Sequence, residues 1–213
     1  TNYQIKLNGH NVSGNMCRNK DVIYFLKQVI KFHFDTIAKN YLSLELEEKA
    51  TRITSLTDRS VAGYFWGNNN RILYLKDDGG NENFKLYAVD RSGDNQKDLT
   101  PFDSVRINII DDLPQLADEI IIGMNKNDKR MYDPYRLNIN TGDIVQLAEN
   151  KDPMNPISDW VTDHEGKLRA AAQTVDGVNA RVLYRATEEE EFKEVITTSF
   201  KEGLNINYFD FTP

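Results

Sequence analysis

Apolar runs that recur at one spacing, an aromatic or aliphatic segment ahead of each run, and strand-and-turn signals in fixed order behind it predict an all-β chain. The architecture they predict is a partial β-propeller of WD-repeat-like, four-stranded blades, about four of them plus the first strand of another. The runs Ile72-Leu73-Tyr74-Leu75, Ile120-Ile121-Ile122 and Leu168-Arg169-Ala170-Ala171 recur roughly every 48 residues, a length that suits four strands and their turns. A β-sandwich with evenly spaced strands is the competing architecture. The order of signals, kept over three copies, favours blades.

Each blade should open on the segment ahead of its run: Gly63-Tyr64-Phe65-Trp66, Ile107-Asn108-Ile109-Ile110, Ile157-Ser158-Asp159-Trp160 and, last, Tyr208-Phe209-Asp210-Phe211. The runs themselves are second strands. Third strands follow at Phe84–Val89, Tyr135–Ile139 and Arg181–Tyr184, where alternation fits a half-buried strand. Fourth strands at Lys97–Thr100, Ile144–Leu147 and Glu194–Thr197 close the units. The first two come after Ser92-Gly93-Asp94 and Thr141-Gly142-Asp143, where glycine permits the positive φ of a tight hairpin. The blades are expected at 58–104, 105–152 and 153–202, with a weakly defined upstream blade at 1–57 and an opening strand at 203–213.

The first 50 residues admit two readings. Asp21–Lys27 resembles Asn70–Lys76 one period later, which favours a blade. Val22, Leu26, Val29, Ile37, Tyr41 and Leu44 approximate helical spacing in a stretch without Gly or Pro, which favours a helix.

Composition narrows the function classes. The 213 residues are 39% apolar, enough to bury a core, and carry a formal charge of −7, which argues against a nucleic-acid partner because that affinity rests on Lys and Arg neutralising phosphates. No apolar run reaches the roughly 20 residues of a membrane span, and the first residues lack the pattern of a secretion signal. The compartment stays open between cytoplasm and periplasm. Cys17 is the single cysteine, so no internal disulfide is possible, and a buried, inert thiol is expected.

From about Thr51 onward a series of phrases carries a family likeness. They are Thr57-Asp58-Arg59-Ser60-Val61-Ala62-Gly63-Tyr64-Phe65-Trp66, Asn70–Tyr74, Gly79–Tyr87, Leu99-Thr100-Pro101-Phe102, Met124–Asp128, Tyr135–Leu137 with Thr141-Gly142, and Asp163–Arg169. In order and spacing they resemble the N-terminal propeller of prolyl oligopeptidase family serine peptidases, of the bacterial dipeptidyl-aminopeptidase and acylaminoacyl-peptidase type. The resemblance implies a propeller that covers an α/β-hydrolase domain and restricts access to short peptides. It makes that domain and peptide substrates the expected partners. No Ser here has Gly at both flanking second positions, so the strained G-x-S-x-G elbow of such hydrolases is missing and no catalytic residue is expected in this chain. The reading is a fragment whose open edge strand could pair with another copy. A stand-alone protein-interaction propeller and a remnant of a peptidase gene are the alternatives.

Other side chains have simpler expectations. His10, His33 and His164 are too scattered for a metal cluster, and His164 should sit in a hairpin turn. The oxygen-rich stretch Asp77–Asn83 lacks EF-hand spacing and reads as a solvated loop. Glu188–Glu191 should be held in solvent by self-repulsion. Trp66 and Trp160 fall at like positions in first strands and read as inter-blade packing. Asp58-Arg59 reads as a charge pair, structural or substrate-facing. No metal or cofactor is expected.

Overall fold

The structure, a computed structural model, describes residues 3–7, 10–14, 53–54, 56, 60–202 and 211. The chain opens on a hairpin, β1 (Tyr3–Leu7) paired antiparallel with β2 (His10–Gly14). Three four-stranded antiparallel sheets follow, and each is a meander. Blade 1 is β3 (Gly63–Trp66), β4 (Arg71–Lys76), β5 (Lys85–Asp90) and β6 (Lys97–Asp98). Blade 2 is β7 (Ile107–Asp111), β8 (Glu119–Met124), β9 (Asp133–Asn138) and β10 (Ile144–Gln146). Blade 3 is β11 (Ile157–Thr162), β12 (Leu168–Val175), β13 (Asn179–Tyr184) and β14 (Lys193–Thr198), followed by a 3-10 turn at Phe200–Glu202. Each segment read as a strand in these three units overlaps one of these strands. The fold is therefore all-β and blade-built, as the repeat predicts. The upstream unit and the last opening strand fall outside the described residues, apart from the β1–β2 hairpin and a few single positions.

Register explains the core. Side chains alternate between the two faces of a strand, so cross-strand triplets share a face. In blade 1 the triplet Phe65, Leu73 and Ala88 lies on one face, while Trp66, Ile72 and Val89 lie on the other. The first face packs on blade 2: Leu73, Leu86, Ala88 and Leu99 form one cluster with Ile107, Ile120, Ile122, Met124, Tyr135 and Leu137. The second face gathers Ile72, Tyr74 and Val89 with Ile53, Val61 and the partly buried Trp66. Blade 2 turns its opposite face to blade 3, where Ile110, Leu147 and Ala148 meet Trp160, Leu168 and Ala171.

The turns repeat as the strands do. Gly93 (φ 95) and Gly142 (φ 76) occupy left-handed positions in matching hairpins. In one, Gly93 N–H donates to the Asp90 carbonyl and Ser92 Oγ to Asp94; in the other, Gly142 N–H donates to the Asn138 carbonyl and Thr141 Oγ1 to Asp143. The side-chain bonds match between the two turns, while the second turn is one residue longer, its Asn138 N–H reaching the Asp143 carbonyl where Asp90 N–H reaches that of Asp94.

One half-buried carboxyl sets a pH dependence. Burial pushes Asp98 of β6 above its ordinary value of 3.8, with the Thr100 N–H and nearby lysines opposing. A raised folded value means that its contribution is full below the unfolded value and is lost as pH rises through the folded one. Asp98→Asn keeps an acceptor for the Thr100 N–H, 2.9 Å away. It is expected to raise the melting temperature at pH 7 and to leave it unchanged at pH 3, in paired thermal scans; equal shifts at both pH values would contradict this.

Candidate functional site

Two polar constellations sit at the seams between blades, both at the end that carries the β5–β6, β9–β10 and β13–β14 turns. At the seam of blades 2 and 3, alternation dictates what happens. Tyr135 and Leu137 face blade 1, so Arg136 between them must face blade 3. Its guanidinium meets Glu119 of β8 at 3.1 Å, Glu188 of the β13–β14 loop at 3.0 Å and the Gly166 carbonyl at 2.8 Å. Glu188 also accepts the Leu168 N–H at 2.9 Å.

Arg185 completes this seam. It is buried, donates Nε to the Leu168 carbonyl (2.9 Å) and Nη1 to the Glu188 carbonyl (2.9 Å), and reaches the Leu147 carbonyl of blade 2 with both Nη atoms (3.3 Å). The guanidinium lies 4.5 Å from the Phe192 ring centroid. Burial lowers its pKa, and Glu188, Glu189 and Glu191 oppose that shift. Arginine stays protonated through such a shift, and its planar fork is suited to several carbonyls at once.

At the seam of blades 1 and 2 lies an open cleft of about 470 Å³, lined by Asn70, Arg71, Asp90, Asn95, Gln96, Lys97 and Asn140. Its floor is the ion pair Arg71 Nη1–Asp90 Oδ1 at 2.8 Å, with side chains 7% and 14% exposed. Arg71 also donates to the Asn95 carbonyl (2.9 Å) and across the seam to the Ile139 carbonyl (3.3 Å), while its buried Nε has no hydrogen-bond partner among the described residues. Burial works to raise the Asp90 carboxyl, but hydrogen bonds from Arg71 and Asn95 outweigh it, and the group sits below the usual carboxylate range. The wall amides are held by their nitrogens: Asn95 Nδ2 on Asp90 (2.7 Å), Asn140 Nδ2 on Asp118 (2.7 Å) and Gln96 Nε2 on the Tyr74 hydroxyl. Their oxygens make no hydrogen bond to a described residue. The lining has no hydroxyl, thiol or imidazole; its amides and charged groups, with Asp90 held by Arg71 and the Lys97 ammonium on the Thr141 carbonyl, suit the cleft to binding polar groups.

The residues singled out from the sequence are placed as follows. His164 sits in the predicted hairpin turn, where Asp163 and Lys167 pair through a 2.8 Å backbone bond and Gly166 has φ 74. Trp160 is buried between blades, donates Nε1 to the Tyr132 carbonyl of blade 2 at 3.2 Å and packs on Phe192 at 5.8 Å. Trp66 packs on the far face of blade 1, away from blade 2. His10 lies in β2, while His33, Cys17 and the Asp58-Arg59 pair lie outside the described residues or have no described side chain.

Two expectations are corrected. The Asp77–Asn83 loop is not wholly solvated: Asp77 is 2% exposed and its Oδ2 accepts the Glu82 N–H at 3.1 Å, because Gly79, Gly80 and Glu82 all adopt positive φ and curl the loop back onto it. Asp78 is held by Lys85 at 3.2 Å. The Glu188–Glu191 run is likewise divided, since Glu188 is only 18% exposed while the other three face solvent. Arg136 and Arg185 supply the positive charge that self-repulsion reasoning left out. Among the described residues no group of three or more His, Cys, Asp or Glu side chains is placed to hold a metal ion.

Sequence reasoning did not find Arg185, Asp133 or Asn150. Asp133 is 3% exposed and binds both Asn127 Nδ2 and the Asn150 N–H, tying β9 to the connection into blade 3. Arg136 was discoverable, because it stands in an alternating strand between two inward apolar residues.

Comparison with known proteins adds an evolutionary link. No family model matches the chain. Over 159 residues it is 31% identical to dipeptidyl aminopeptidase BIII of Pseudoxanthomonas mexicana. The chain is related to a peptidase. The matched stretch is 71% of this chain and 23% of that enzyme, so the chain spans less than a quarter of this peptidase relative. Among solved structures, a TolB from Agrobacterium tumefaciens aligns with a TM-score of 0.43 at 11% identity, over 70% of this chain and 53% of that one. TolB from Acinetobacter baumannii aligns at 0.38 and 18% identity, over 63% and 34%. At these scores neither likeness adds to what the strand pairing shows.

Proposed function

We propose that this chain is the non-catalytic propeller of a serine peptidase of the prolyl oligopeptidase family, and that it limits which peptides reach an α/β-hydrolase domain of the same protein. The observation that carries the reading is the 159-residue likeness to a dipeptidyl aminopeptidase, in a stretch that contains no hydrolase elbow. A gate must resist deformation, and the Arg136 and Arg185 hydrogen bonds across the seam of blades 2 and 3 support the reading on that count. The partners on this reading are the hydrolase domain and short peptides; the charge of −7 argues against nucleic acid.

The test uses the protein encoded by the complete reading frame, assayed with aminoacyl and dipeptidyl chromogenic substrates and with a denatured protein. Hydrolysis of the short substrates alone, abolished by replacing the elbow serine, is the expected result. A reading frame without a hydrolase domain would overturn the proposal in favour of an interaction module. Equal cleavage of short and long substrates would overturn the gating role alone.

A further inference from the structure

We propose that the cleft at the seam of blades 1 and 2 is a binding site for neutral amide groups, with an uncharged stretch of peptide backbone as its ligand. The inference does not rest on the peptidase reading, because it concerns binding to this chain alone. The charges of the floor are already matched: Arg71 holds Asp90 at 2.8 Å, and its other acceptors are the carbonyls of Asn95 and Ile139. Ile139 follows β9, so the floor is braced across the seam.

The walls set what a ligand must offer. An ionised carboxylate only accepts hydrogen bonds, so an amide beside one has to turn its nitrogen toward it. Asn95 Nδ2 donates to Asp90 at 2.7 Å, and Asn140 Nδ2 donates to Asp118 at 2.7 Å. Gln96 Nε2 is taken up by the Tyr74 hydroxyl. Three amide oxygens in the lining are left as acceptors, two from blade 1 and one from blade 2. Lys97 supplies the donor: one proton of its ammonium is on the Thr141 carbonyl, and the other two have no acceptor among the described residues.

A ligand that meets this set both donates and accepts while carrying no charge. An anion would face the Asp90 carboxylate and three amide oxygens, and a cation would face Arg71 and Lys97. An amide fits, its N–H on an amide oxygen and its carbonyl on the Lys97 ammonium, and a peptide backbone repeats that donor and acceptor at each residue. A saccharide also donates and accepts, but the lining has no aromatic ring or aliphatic side chain for a sugar ring to rest on. The volume of about 470 Å³ lies within the range of about 300–1,000 Å³ usual for small-ligand sites. With little apolar surface to bury, the affinity is expected in the millimolar range.

The experiment titrates the full, nitrogen-15-labelled chain with acetyl-triglycine amide, with acetate and with maltotriose, and follows side-chain amide signals by NMR. The blocked peptide is expected to shift the signals of Asn95, Gln96 and Asn140, and to bind more tightly than the other two probes. Lys97→Met, which keeps the stem and removes the ammonium, should weaken its binding about tenfold, and Asn140→Ala about fivefold. Signals that the blocked peptide leaves unmoved, or an affinity that neither variant changes, would overturn the proposal. So would acetate or maltotriose binding at least as tightly as the blocked peptide, because the cleft would then be an anion or a saccharide site. Should the variants not fold, the ranking of the three probes on the wild-type chain decides by itself.

Discussion

Arg185→Ala is expected to lower the unfolding free energy by about 3–5 kcal/mol, the largest single effect outside the apolar core. Arg185 is 4% exposed and its guanidinium satisfies the carbonyls of Leu147, Leu168 and Glu188, which come from the connection after β10, the start of β12 and the β13–β14 loop. Alanine leaves all three acceptors short of a donor in a place where water enters poorly, and each such group costs about 1–3 kcal/mol. It also removes the cation over Phe192. Arg185→Lys should recover only part of the loss, because an ammonium has the charge without the planar fork that spans two carbonyls. Urea denaturation at neutral pH reads the effect as a lower midpoint at unchanged slope. A loss below about 1 kcal/mol would mean that the seam is held by packing alone.

Leu137→Ala should cost about 2–5 kcal/mol, by lost burial plus the cavity left behind. Leu137 is fully buried in β9, opposite Ile120 and Ile144 in register, and belongs to the cluster shared by blades 1 and 2. Since that cluster is common to both sheets, the variant should unfold both in one transition at the lower midpoint. Val145→Ala in the neighbouring strand is the control: Val145 is 60% exposed, and its loss should fall within about 0.5 kcal/mol. Separate transitions for the two blades would contradict a shared core.

Both effects arise at blade seams, and the seams are where legibility from sequence changes character. The strands were legible, because their signals are local. Short apolar runs placed Ile72-Leu73-Tyr74-Leu75 and its two later copies in β4, β8 and β12, alternation placed β5, β9 and β13, and Gly in Ser92-Gly93-Asp94 and Thr141-Gly142-Asp143 reported hairpins that need positive φ. The period of about 48 residues then carried the fold class, since each copy repeats the same four local signals.

The candidate sites were less legible. The cleft draws Asn70, Arg71, Asp90 and Asn95 from blade 1 and Asn140 from blade 2, and no short motif joins positions so far apart. Glu188 looked like one of four equivalent carboxylates; what separates it from Glu190 is the Arg136 guanidinium, 52 residues earlier and on another sheet. Asp77 looked like a loop carboxylate, and only the curl of Gly79 and Gly80 brings the Glu82 N–H to it.

Sequence by itself determined the strands, their turns, the repeat and the kinship with a peptidase, because each is written in neighbouring residues or in their recurrence. Tertiary structure alone decided which charges are buried and what they hold. Burial and pairing depend on how one blade is set against the next, a distance relation that side-chain identity does not encode.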